Sequence, residues 1–101
     1  MTKILIAASL LAIAMPMSAM AGPIESACLK SGRQQASRSL CGCIQQVADM
    51  TLQGGDQRQA AKFFKDPEQA QKVRMSKSDR DNAFWARYKN FSETAAAYCA
   101  G

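Results

Sequence analysis

With 101 residues, 13 basic against 8 acidic side chains and a net charge of +5, the chain has room for one domain and is mildly basic, far from a polycation. It contains no histidine, which removes the commonest general acid or base and every Ser-His or Cys-His nucleophile pair. Four cysteines in so short a chain point to a covalent framework.

Residues 1–21 are ordered as a signal peptide: Lys3, an apolar stretch over 4–14, then Pro16 and the small residues Ala19 and Ala21. Ala19 and Ala21 occupy the minus-three and minus-one positions of an A-x-A cleavage site, so cleavage is expected after Ala21, with Gly22 as the mature start. A membrane anchor would need about 20 apolar residues, and Pro16 interrupts the stretch too early. Lipid anchoring through Cys28 is disfavoured by Glu25, which stands where a lipobox carries an aliphatic residue.

Removing 21 of 101 residues leaves 80, and setting Lys3 aside leaves 12 basic and 8 acidic side chains, a net charge of +4. Pro23 opens a short first helix over 24–30, ending near Gly32, with Ile24, Ala27 and Cys28 on one face. The stretch 32–39 is polar and reads as a connection, with Ser37 or Ser39 as N-cap of the next helix. That helix is expected over 40–52. Leu40, Cys43, Ile44, Val47, Met50 and Thr51 form its apolar stripe, and Gln45, Gln46, Asp49 and Gln53 fall outside it. Gly54-Gly55 is expected to end it, with Asp56 capping a third helix over 57–65 that presents Ala60, Ala61, Phe63 and Phe64. Asp66-Pro67 starts a fourth helix reaching about Met75, with Val73 as its main apolar contact. Ser78 and Asp81 make an acidic capping box for the longest helix, over 79–98. Its expected inner face is Phe84, Trp85, Tyr88, Phe91, Ala95, Tyr98 and Cys99, which would meet Phe63 and Phe64. No alternating run of Val, Ile and Thr suggests a strand. The fold class is therefore all-α, a small bundle of four to five helices over residues 22–101.

A core of this size is marginal alone, and an exported chain with an even cysteine count is expected to hold two disulfides. Side chains two residues apart on a helix point about 200° apart, which argues against joining Cys41 to Cys43. The favoured pairing is Cys28–Cys41 with Cys43–Cys99. The pairing Cys28–Cys43 with Cys41–Cys99 remains open on spacing alone.

Three arrangements have chemical potential. Cys41-Gly42-Cys43 is a C-x-C pair of the kind that cycles as an oxidising disulfide, although Cys28 and Cys99 offer partners to both sulfurs. Trp85 and Tyr88, with Asp81 nearby, make a candidate shelf for a cationic ligand; at helical spacing the same residues serve a core. The basic run Lys62, Lys65, Lys72, Arg74, Lys77 and Arg80 has the composition of a contact surface, but Asp66, Glu68, Asp79 and Asp81 interleave with it as on a solvated helix face. The cysteine spacing lacks zinc knuckles, so no metal and no cofactor is expected, and export sets nucleic acid aside as a partner.

Across nearly all of 22–101 the chain resembles small exported proteins of alphaproteobacteria labelled "arginine transporter". The resemblance is carried by Cys28, the run Leu40-Cys41-Gly42-Cys43-Ile44-Gln45-Gln46-Val47-Ala48, the run Ala61-Lys62-Phe63-Phe64, Phe84-Trp85 and Tyr98-Cys99. It implies a link to amino-acid transport. An 80-residue chain without a span would serve there as an extracytoplasmic accessory, since translocation itself requires membrane-spanning structure.

The expected function is a non-enzymatic, periplasmic or secreted helical module that binds a protein or envelope partner. Thiol-disulfide exchange through Cys41 and Cys43, and an accessory role in arginine transport, are the alternatives.

Overall fold

Caps and prolines decide where the helices begin. The computed structural model describes residues 22–100; the expected signal peptide over 1–21 lies outside the described residues. Five helices follow one another: α1 (Pro23–Lys30), α2 (Arg38–Thr51), α3 (Gly54–Lys65), α4 (Pro67–Met75) and α5 (Asp79–Cys99). There is no strand among the described residues. Ser37 Oγ accepts the Leu40 N–H at 3.0 Å to start α2, Asp66 Oδ1 accepts the Glu68 N–H at 3.2 Å to start α4, and Ser78 Oγ accepts the Asp81 N–H at 3.1 Å to start α5. Each satisfies a donor that the first turn leaves without an intrahelical partner. The reciprocal half of the expected capping box is replaced, because the Ser78 N–H donates to Ser76 Oγ at 3.2 Å. α1 stops at Ser31, and Gly32 follows with φ of +73°, a left-handed conformation that glycine adopts without strain.

The Gly54-Gly55 pair does not end α2. The helix stops at Thr51, Leu52 turns extended, and both glycines open α3. Asp56 accordingly lies inside the first turn of α3 and is free of capping duty; its carboxylate instead takes a two-pronged bond from Arg87 of α5, at 2.6 and 3.1 Å.

α1 packs on α2 and α3, α2 on α5, and α4 on α3 and α5, with α3 also touching α5. The core joins Ile24 of α1, Val47, Ala48 and Leu52 of the α2 region, Ala60 and Phe63 of α3, and Phe84 and Phe91 of α5. The Phe63 ring meets Phe84 and Tyr88 edge-on, with centroids 5.9 and 5.1 Å away, the arrangement that ring quadrupoles favour. Burial of this apolar surface is the main force holding the helices together.

The bridges are Cys28–Cys41 and Cys43–Cys99, spanning 13 and 56 residues. They explain how α2 is oriented. Cys41, Ala48 and Leu52 lie on one side of it, toward α1, and Cys43 and its neighbours on the other, toward α5. The expected single stripe is thus two flanks, and the assignment of Gln45 outside it is corrected: Gln45 follows Cys41 by one turn and is buried, 7% exposed. Met50 falls between the flanks and is 71% exposed. On α5 the inner face holds through Ala95 and Cys99, but Tyr98 turns outward and is 75% exposed.

Candidate functional site

Burying an amide requires that its hydrogen bonds be met inside, and the two buried glutamines meet theirs together. Gln45 Oε1 accepts the backbone N–H of Ile24 and of Glu25, each at 2.9 Å. The first turn of α1 is therefore capped from α2, and its own N-cap residue, Gly22, contributes no side chain. Gln45 Nε2 donates to Asp49 Oδ1 at 2.9 Å and to Gln57 Oε1 at 2.8 Å. Gln57 Nε2 in turn donates to Asp49 Oδ1 and to the Leu52 carbonyl, both at 3.1 Å. α1, α2 and α3 meet at this network, and no buried side-chain nitrogen or oxygen among the described residues lacks a partner. Its donors and acceptors are consumed in holding the fold. Sequence periodicity missed both glutamines, although the spacing Cys41, Gln45, Ala48, Leu52 carried the signal.

The cysteines of the C-x-C pair point to opposite flanks. Cys41 is bonded to Cys28 and Cys43 to Cys99, with no free cysteine among the described residues. Gly42 lies within regular helix, so it does not supply the unusual backbone that a Cys41–Cys43 ring would demand. The two bridges differ in access. Cys28 and Cys41 are buried, whereas Cys43 and Cys99 are partly exposed beside Leu40 and the outward Tyr98.

The structure brings Trp85 and Tyr88 together, with ring centroids 5.2 Å apart, and packs both against the core. Asp81 sits one turn before Trp85, in the first turn of α5. Tyr88 opens on a small cleft of about 200 Å³ shared with Arg33, Ile44, Phe63 and Phe64, and Asp81 does not line it. Burial raises the pKa of the Tyr88 phenol, and the nearby positive charge of Arg33 partly opposes the rise. Trp85 does not line this cleft either, and a phenol beside a guanidinium is poorly suited to a cationic guest there.

A larger groove, about 560 Å³, runs between α1 and α3. Lys30, Lys62 and Lys65 line it, above Ala27, Ala61 and Phe64. The basic run read from the sequence therefore divides: Lys62 and Lys65 join Lys30 of α1, while Lys72, Arg74, Lys77 and Arg80 are exposed on and after α4. Among the described residues no three His, Cys, Asp or Glu side chains converge as a metal site, and no helix is long and apolar enough to cross a membrane. The disulfides are consistent with an oxidising, extracytoplasmic compartment.

The chain matches no protein-family model, no curated protein and no solved structure.

Proposed function

We propose that the chain is exported, cleaved after Ala21, and acts in the periplasm or outside the cell as a non-enzymatic helical module that binds a protein or envelope partner. The signal-peptide order of residues 1–21 and the two disulfides support the compartment. The observation that carries the binding role is the α1–α3 groove, where Lys30, Lys62 and Lys65 surround an apolar floor without forming an ion pair among the described residues. Cations left uncompensated around apolar surface are suited to an interface with a complementary partner. Those lysines also count against arginine as the guest of this groove, where a guanidinium would meet like charge.

The test is chemical cross-linking in intact cells, followed by recovery of the oxidised chain from the envelope fraction. One partner captured reproducibly, and lost when the disulfides are reduced before cross-linking, is the expected result. Recovery of the chain alone counts against the reading, as does a mature mass that does not begin at Gly22.

A further inference from the structure

Resting on the partner-binding reading above, we infer that the α1–α3 groove receives an acidic amphipathic helix of another protein. Lys30 lies in the last turn of α1, and Lys62 and Lys65 in the last turn of α3. All three are exposed and line one groove of about 560 Å³. Two carboxylates close to them in sequence are directed elsewhere. Asp66 is occupied in starting α4, accepting from the Glu68 N–H and the Gln69 amide. Glu25 reaches across to α2, where its Oε1 lies 3.8 Å from the position a Cβ on Gly42 would take. Three neighbouring ammonium groups repel one another, and an acidic guest relieves that repulsion.

The floor specifies the shape of the guest. Ala27 and Ala61 are small enough to let a backbone come close, and Phe64 offers a partly buried ring. An amphipathic helix can lay apolar residues at i, i+3, i+4 and i+7 on such a floor while flanking carboxylates reach the lysines. A bilayer fits less well, because interfacial docking places large apolar side chains into the acyl boundary. The exposed large hydrophobics among the described residues are Leu29, Met50, Met75 and Tyr98, and none lines this groove.

The test uses the oxidised protein and a fluorescent synthetic helix of about five turns, with leucines at those spacings and glutamates beside them. A second peptide replaces each glutamate by glutamine, and phosphatidylglycerol vesicles form the membrane arm. The acidic peptide is expected to bind, less tightly as salt rises. Binding should weaken by about tenfold or more with the glutamine peptide and with the combined variant Lys30→Gln, Lys62→Gln and Lys65→Gln. Ala61→Trp should weaken it comparably by filling the floor without altering charge. Helicity and the disulfide map are checked in each variant. Failure of the acidic peptide to bind, equal binding by wild type and both variants, or capture of vesicles instead of peptide overturns the assignment. Cellular cross-linking of the wild-type chain, measured separately, decides the broader reading whatever the peptide does.

Discussion

Gln45 Oε1 accepts the Ile24 backbone N–H at 2.9 Å across 21 residues of sequence, so a side chain in the middle of α2 starts α1. Gly22 stands directly over that amide, and a methyl group there would overlap it. The amide has nowhere to retreat, because moving it breaks its bonds to Ile24, Glu25, Asp49 and Gln57. Gln45→Ala should therefore lower stability by about 3 kcal/mol, leaving helix donors and a buried glutamine unpaired. Gly22→Ala should cost about 1 to 2 kcal/mol by overpacking. Urea unfolding at constant slope measures both, and a midpoint unchanged in Gln45→Ala would rule out this structural role.

Gly42 makes the opposite prediction. Its backbone is helical, and an added Cβ meets only Glu25 Oε1, at 3.8 Å, an ordinary contact distance. Gly42→Ala should raise stability by about 0.5 to 1 kcal/mol, because alanine loses less backbone entropy in a helix. Thermal unfolding of the oxidised protein reads it directly. A loss of stability would mean that the C-x-C pair needs glycine for a conformation other than this one.

The two bridges should open in sequence under mild reductant. Cys43–Cys99 is partly exposed, whereas Cys28 is 4% and Cys41 0% exposed, and thiol-disulfide exchange requires access to a sulfur. Timed reduction with alkylation and peptide mapping should label Cys43 and Cys99 first. The chain-entropy relation assigns about 4 kcal/mol to the long bridge and about 3 to the short one, so the first opening should also bring the larger loss of stability. Prior labelling of Cys28 and Cys41 would contradict the burial seen here.

Tyr88 should shape stability at alkaline pH. Burial disfavours its phenolate, so the folded protein holds the phenolic proton more tightly than the unfolded chain, whose ordinary value is 10.0. The stabilising contribution is fully present below pH 10 and is lost as pH rises through the higher folded value. Tyr88→Phe should flatten the decline of stability above pH 10, as followed by urea titrations at stepped pH. An unchanged slope would assign the alkaline decline to other groups.

The helix order and the starts of α2, α4 and α5 were legible because their signals are local, whereas Gly54-Gly55 was misread as a stop. Ser37, Asp66-Pro67 and Ser78 each act on N–H groups within a few residues, whereas spacing favoured the pairing of Cys28 with Cys41 without deciding it, because that depends on which flank of α2 faces α1. The rotation of α2 was not local. Periodicity weighs Gln45 as polar and Met50 as apolar, but α2 lies between α1 and α5, and bridges on opposite flanks set which residues face inward. Tyr98 was misplaced for a related reason: Cys99 fixes the last turn of α5 against α2, and its sequence neighbour is turned outward. The α1–α3 groove escaped periodicity because Lys30 and Lys62 are far apart in the chain and meet only after folding.

The placement of both bridges on α2 also has a mechanical meaning. A pull on the two ends of the oxidised chain travels from Cys28 to Cys41, through the single residue Gly42, and out from Cys43 to Cys99. The chain between Cys43 and Cys99, including all of α3 and α4, hangs from this covalent short circuit and carries no tension. A force that would unravel an unbridged bundle of this length would leave the α3 side of the groove unloaded, and only reduction would let the pull reach it.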